Sequence, residues 1–320
     1  MKLRNKKIFL SGGAGFIGTK IIQRLVHENE IVVFDTFQRN SLKDFEIIGH
    51  PNLKLVKGNV LDKEQIISAI QGSNIIIHLA AIAGIDTVIK SPTNTMMVNF
   101  IGTSNVLEAA KKLDNLERFI DFSTSEVYGS YAYKLGEDAC TTMGAVGAAR
   151  WTYAISKLAA EHLAHGYREE FNIPVVSIRP FNIYGPGQIG EGAVHSFIVR
   201  ALNGEDLIIH GEGDQIRSWC YIDDMVDGTI LCLENDQAVG HVFNMGNPKG
   251  TITILSLAEK IVSISNSRSN ITFVPKPYVD VELRIPDIEK SKDILNFEPK
   301  IDLNVGLRRT IEWYTSNSRK

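Results

Sequence analysis

The chain is poor in the features that would mark it for metals, nucleic acids or membranes. Three cysteines in 320 residues (Cys140, Cys220, Cys232) form no C-x-x-C pair and no metal-ligand spacing. That excludes a disulfide framework and a structural metal site, and the thiols read as reduced, as in a cytoplasmic protein. Positive charge is not in surplus: 34 Lys and Arg against 37 Asp and Glu give a formal charge of −3. A basic footprint for nucleic acid or an anionic membrane is therefore missing. No apolar run approaches a bilayer span. After the basic start, Ile8-Phe9-Leu10 breaks into glycines, unlike the core of a signal peptide. Repeats and low-complexity tracts are absent too. An anionic ligand must then be met by a few local Arg or Lys.

What is present is an ordinary soluble composition, 44% hydrophobic and 22% charged. The length is near the point where one core divides in two. Short apolar runs at 7–10, 31–34, 54–56, 75–79, 119–122 and 175–178 alternate with helical spacing over 17–28, 63–70, 93–113 and 152–171. Continuous apolar strands separated by helices predict a doubly wound parallel Rossmann sheet, an α/β fold covered on both faces. After Pro180, turn clusters such as Gly185-Pro186-Gly187 and Gly211-Glu212-Gly213 interrupt shorter helices at 194–202, 223–234, 255–264 and 303–314. This predicts a smaller C-terminal α/β substrate-binding region closing over the carboxyl edge of the sheet. The expected division is residues 1–180, with about 218–245 returning, for the dinucleotide unit, and 181–217 with 246–320 for the second.

Ser11-Gly12-Gly13-Ala14-Gly15-Phe16-Ile17-Gly18 follows the first strand and opens the first helix. Glycines there let backbone N–H groups approach a pyrophosphate, so Gly12, Gly15, Phe16, Ile17 and Gly18 are expected to hold a dinucleotide. Asp35 ends the second strand, where a carboxylate accepts from ribose hydroxyls and repels a 2′-phosphate, which favours NAD over NADP. Arg39 reads as a solvated loop residue. Asn59, after the third strand, reads equally as an adenine contact or a turn residue. Leu79, Ala80 and Ala81 end the fourth strand with side chains that permit close approach to the cofactor, and His78 reads as a satisfied buried histidine.

Tyr153 and Lys157 are four apart on a predicted helix and share a face. An ammonium beside a phenol, with an oxidised nicotinamide nearby, lowers the phenol pKa and makes it a base. Thr124 follows the fifth strand, where its hydroxyl can bond a substrate hydroxyl. Glu126 adds a carboxylate that simple hydride transfer does not need; it reads either as a group handling a proton at another carbon or as a solvent-facing strand end.

With these residues in this order the chain resembles the extended short-chain dehydrogenase/reductases that act on nucleotide sugars, the epimerase, dehydratase and UDP-glucuronate decarboxylase group. The likeness runs nearly end to end, through Asn99, Ser123–Gly129, Tyr153–Lys157, Arg179–Pro186, Gly211–Arg217, Tyr221–Asp224 and Arg284–Asp287. It implies bound, recycled NAD, further cofactor contacts at Val60, Asn99, Ser123 and Ile183, and nucleotide-sugar contacts at Asn182, Val194, Arg217 and Arg284. It also implies a homodimer through helices 93–113 and 152–171. The catalytic set implied is Tyr153, Lys157, Thr124, Ser125 and Glu126. Ser125 stands where 4,6-dehydratases of the dTDP-glucose type carry an Asp, and Thr124-Ser125-Glu126 is similar to the decarboxylases. A decarboxylase-type or 4,6-dehydratase-type lyase is the first expectation, a 4-epimerase the alternative, and a non-catalytic dinucleotide-binding protein the remote one. Gly147–Trp151 matches no branch.

Overall fold

The structure, a computed structural model, describes residues 1–276 and 281–317. The apolar runs become the parallel strands β1 (Lys7–Ser11), β2 (Glu30–Asp35), β3 (Leu53–Lys57), β4 (Ile75–His78) and β5 (Arg118–Phe122). Helices α1 (Phe16–Leu25), α2 (Lys63–Ile70), α3 (Ile85–Lys90), α4 (Pro92–Met96) and α5 (Gly102–Ala110) connect them. Next come β6 (Tyr131–Leu135), α6 (Thr152–Phe171), β7 (Val175–Pro180), β8 (Ile183–Tyr184), α7 (Ala193–Asn203), β9 (Leu207–His210), β10 (Ile216–Ser218) and β11 (Cys220–Tyr221). The chain closes with α8 (Ile222–Glu234), β12 (Val242–Met245), β13 (Thr251–Thr253), α9 (Ile254–Ser265), β14 (Ile271–Val274), β15 (Leu283–Pro286), α10 (Glu289–Leu295) and α11 (Leu303–Asn317).

Seven strands form the central sheet in the order β12-β7-β5-β4-β1-β2-β3, all parallel. Successive residues on each strand feed different layers. Ile120 and Phe122 join the larger core with Met225 and Val226 of α8, whereas Phe119 joins the cluster holding Val106 and Ala164. This is the Rossmann arrangement expected from the alternation. The strand order reverses between β1 and β4, so their carboxyl ends part there and leave the crevice such sheets use for ligands. A second sheet, β13-β10-β15-β6, stands over that edge.

Two helices differ from their sequence outlines. The first ends at Leu25 rather than Glu28, because Asn29 Nδ2 donates to Leu25 O at 2.9 Å and Leu3 O at 3.1 Å and turns the chain into β2. The span 93–113 is not one α-helix: a π-helical turn, Met97–Ile101, separates α4 from α5. The wider turn carries Asn99 inward, where its side chain bonds both backbone groups of Ile82.

The glycine turn sets how close α1 lies to the sheet. A Cβ on Gly18 would sit 2.5 Å from Gly13 O. Gly18→Ala is expected to cost about 1–3 kcal/mol through forced separation of helix and turn. Thermal unfolding followed by circular dichroism checks this, and an unchanged midpoint would show that the turn yields.

Candidate active site

A cleft of about 710 Å³ opens at the carboxyl edge of the central sheet, lined also by residues of the second sheet such as Arg217 and Arg284. Its cofactor side is built from backbone. Gly12 has φ +72°, and a Cβ there would lie 2.5 Å from Ala80 N, so β1 and β4 part by no more than a backbone's width. Helix α1 starts at Phe16 with no side-chain cap and no acidic residue in its first turn, and Phe16 and Ile17 line the cleft. Free N–H groups at a glycine-opened helix start suit a pyrophosphate. Ser123, also on the wall, is buried and its Oγ has no hydrogen-bond partner among the described residues. These are the features a dinucleotide would complete.

Asp35 stands beside the turn. Its Oδ2 accepts from Ala14 N at 3.0 Å and its Oδ1 from Phe37 N at 2.8 Å. Burial raises its pKa, and those amides partly oppose the rise. The carboxylate thus braces the glycine turn while keeping lone pairs for ribose hydroxyls. Arg39 stays exposed in its loop, as expected, and is tethered there: it donates to Ala83 O and Thr87 Oγ1, both at 2.9 Å, in the segment after β4.

Other expected cofactor residues divide. Leu79, Ala81 and Ile183 line the cleft, and Ala80 faces Gly12. Asn59 lies beside a separate shallow depression, with its Oδ1 accepting from Leu61 N at 3.0 Å, which is the turn reading. Val60 is buried in the core against Gly102. Asn99 is fully buried; besides Ile82, its amide donates to Ser156 Oγ at 3.0 Å. It braces the loop after β4 and the catalytic helix from behind. His78 is a satisfied core histidine, bonded to Ser11 at 2.6 Å and Thr103 at 2.8 Å, with burial first and Lys157 second driving its pKa down to about 3.

The fold brings Ser123, Thr124, Ser125, Glu126, Tyr153 and Lys157 to one wall. Thr124 caps the short 3-10 turn after β5: its Oγ1 accepts from Glu126 N at 3.2 Å, and it also hydrogen-bonds the Tyr153 phenol. The sequence reading gives Tyr153 a lowered pKa. The protein's own groups raise it instead, through burial first and then the Glu126 carboxylate, with Thr124 and Arg284 pulling the other way. Lys157 is buried at 1% exposure, and burial depresses its pKa while Asp121 and Glu161 hold it up.

Glu126 does not face solvent. Arg150 Nη1 donates to it at 2.7 Å and Arg284 Nη1 lies 3.6 Å away. Burial pushes its pKa up, but Arg284, Arg150 and Arg217 together outweigh that and hold it below the usual range. Arg217 and Arg284 are neighbours in register on β10 and β15, which explains why two arginines far apart in sequence meet here. Arg217 also donates to Val281 O and to Ile216 O. Asn182, at φ +42°, lines the cleft and donates to Ser218 O at 3.0 Å. Val194 is directed into the core; its neighbours Ala193, Ser196 and Phe197 face the cleft.

The residue that sequence reading missed is Arg150, in the unassigned Gly147–Trp151 segment. A 3-10 turn, Ala149–Trp151, leads directly into α6. The signal was its spacing, three before Tyr153, which puts both on one face of a continuous helical path.

The NAD dependent epimerase/dehydratase family matches residues 8–246. A UDP-N-acetyl-alpha-D-glucosaminuronate decarboxylase from Bacillus cytotoxicus is 34% identical over 319 residues, covering 97% of this chain and 98% of that one. UDP-glucuronic acid decarboxylase 5 from Arabidopsis thaliana is 37% identical over 95% of this chain and 87% of its own. The solved UDP-glucuronic acid 4-epimerase from Bacillus cereus, in complex with UDP-glucuronic acid and NAD, superposes with TM-score 0.88 at 31% identity. That match covers 97% of this chain and 99% of the epimerase.

Removing the Asp35 carboxylate tests the ribose contact. Asp35→Ala is expected to weaken NAD binding about 10- to 100-fold, the worth of a charge-assisted hydrogen bond, and to narrow the preference over NADP. Isothermal titration with both nucleotides checks it, and unchanged affinities would confine Asp35 to bracing the turn.

Proposed function

The chain belongs to the NAD-dependent epimerase/dehydratase family, and from that premise we propose that it is a lyase that decarboxylates a UDP-uronate through a transient 4-keto sugar. The observation that carries this reading is the gathering of three guanidiniums, Arg150, Arg284 and Arg217, at Glu126 on the cleft wall. All three line the cleft. Planar guanidiniums there suit a diphosphate and a sugar carboxylate, which they can bind with two parallel hydrogen bonds, better than a neutral hexose. The relatives named for UDP-uronate decarboxylation support the same choice.

Bound NAD supplies reversible hydride acceptance at the sugar C4. Tyr153 receives the C4 hydroxyl proton, with Thr124 orienting the hydroxyl. In a 4-keto uronate the C6 carboxylate is β to the ketone. The C5–C6 bond breaks, its electron pair enters the enolate, and carbon dioxide leaves. A proton then returns to C5. Glu126, kept ionised by its arginines, is a poor donor, whereas Tyr153 carries the proton it took from the C4 hydroxyl. We therefore assign the donation to Tyr153 and give Glu126 the task of fixing Arg150 and Arg284. Ser125 has no acidity to offer a leaving hydroxyl, which disfavours dehydration.

A 4-epimerase is the second reading, favoured by the likeness to the Bacillus cereus enzyme. It requires no loss of mass. Incubation with NAD and UDP-glucuronate or its 2-acetamido counterpart is expected to give a product lighter by carbon dioxide in mass spectrometry; a product of unchanged mass and altered mobility would mean epimerisation. Glu126→Gln is expected to lower turnover about 100-fold with NAD binding retained, and unchanged turnover would remove Glu126 from the machinery. We also propose a homodimer through the 93–113 span and α6, supported by exposed Met97 and Ile101 in the π-helical turn before α5 and Phe171 at the end of α6. Sedimentation at the monomer mass would overturn it.

A further inference from the structure

We propose that Asp121, outside every motif that marks the site, is a positioning residue that holds the Lys157 ammonium charged from the sheet side. This rests on the acid/base reading of Tyr153 and Lys157, not on the choice of sugar.

The placement follows from register. Ser11, His78, Asp121 and Ser177 are consecutive partners across β1, β4, β5 and β7, forming a polar row through the sheet just below the cleft. Asp121 shares the face of Phe119, which is the α6 side, while Ile120 and Phe122 face the α8 layer. Helix α6 is fixed over this row: Arg179, two residues beyond Ser177 on β7, donates to Glu161 through Nε at 3.0 Å and Nη2 at 2.6 Å. Lys157 lies one turn before Glu161 on that buried face.

Several charged or titratable groups surround Asp121. His78 from β4 is neutral, because burial drives its pKa to about 3. Arg179 from β7 is paired with Glu161, yet Glu161 still acts on both partners: it helps keep Lys157 charged and opposes ionisation of Asp121. Tyr153, from the start of α6, has its ionisation opposed by burial. Lys157 is the cation that favours the Asp121 carboxylate. Asp121 itself is 0% exposed; its Oδ2 accepts from Ser177 Oγ at 3.1 Å, and its Oδ1 has no hydrogen-bond partner among the described residues. A buried carboxylate with one oxygen unused and a buried ammonium on the same side of the sheet attract through space, and each makes the other's ionisation more tolerable. Burial raises the Asp121 pKa to about 6 and Lys157 opposes the rise, so the pair is fully charged only above that pH.

The device matters because the electrostatic value of Lys157 to Tyr153 exists only while the ammonium persists, and burial works against it. The test is a lysine ε-13C NMR titration of the full chain with NAD bound, the Lys157 resonance being assigned by its loss in Lys157→Arg. In Asp121→Asn the deprotonation midpoint of Lys157 is expected to fall by about one pH unit or more. Asp121→Leu repeats the measurement with no polar group left to satisfy. The same midpoint in wild type and in whichever variant folds overturns the proposal. Where the protein turns over a UDP-uronate, the alkaline limb of its rate profile is expected to move down with that midpoint. If no substrate is turned over, the functional reading fails while the titration still decides the role of Asp121.

Discussion

The active site depends on how α6 is seated on the sheet. Tyr153 and Lys157 lie in its first turns, where Asn99 reaches Ser156 and Thr124 reaches the phenol. One turn further on, Glu161 is gripped by both ends of the Arg179 guanidinium, with both side chains buried. Arg179 also donates to the Tyr128 hydroxyl at 2.7 Å, and Tyr128 in turn donates to Asn244 on β12. The pair therefore ties the catalytic helix to β7, to the segment after Glu126 and to the sheet's far strand. Breaking a buried pair on one side typically costs about 3–5 kcal/mol, because it leaves a naked charge. This contact cannot slip gradually, and that inelasticity is what a reacting hydroxyl needs from its base.

Charge in the cleft is arranged by end. On the cofactor side it is nearly all backbone: an uncapped helix start, a glycine turn and one carboxylate at Asp35. At the sugar end, among the described residues, guanidiniums gather around Glu126. Between them lie a phenol whose ionisation burial opposes and an ammonium that burial pulls toward neutral while Asp121 and Glu161 pull back. Such a site gains little from long-range attraction, consistent with an overall charge of only −3. Its selectivity lies in local pairing in a poorly solvated space.

Much of this was legible in the chain. The strand and helix alternation revealed the sheet, because parallel strands are apolar on both faces and leave no polar alternation to confuse the reading. Gly12–Gly18, Asp35, Thr124, Tyr153 and Lys157 could be placed because each sits at a strand end or on one helix face, where sequence distance translates into space. Asn59, Val60, Asn99 and Val194 did not come to the cleft. Their side chains were already claimed, by a turn, by the core or by the Ile82 backbone, and such claims are made by partners distant in sequence.

The sequence by itself determined the class of fold, the dinucleotide turn and the Tyr-Lys pair, since all of these follow from local periodicity and from the steric freedom of glycine. Only the tertiary structure decided that Arg150, Arg217 and Arg284 would gather at Glu126, that burial would oppose ionisation of the phenol, and that Asp121 would be buried on the sheet face toward α6. Those outcomes depend on which strands become neighbours, on register between segments tens of residues apart, and on how much water is left between charges once they meet.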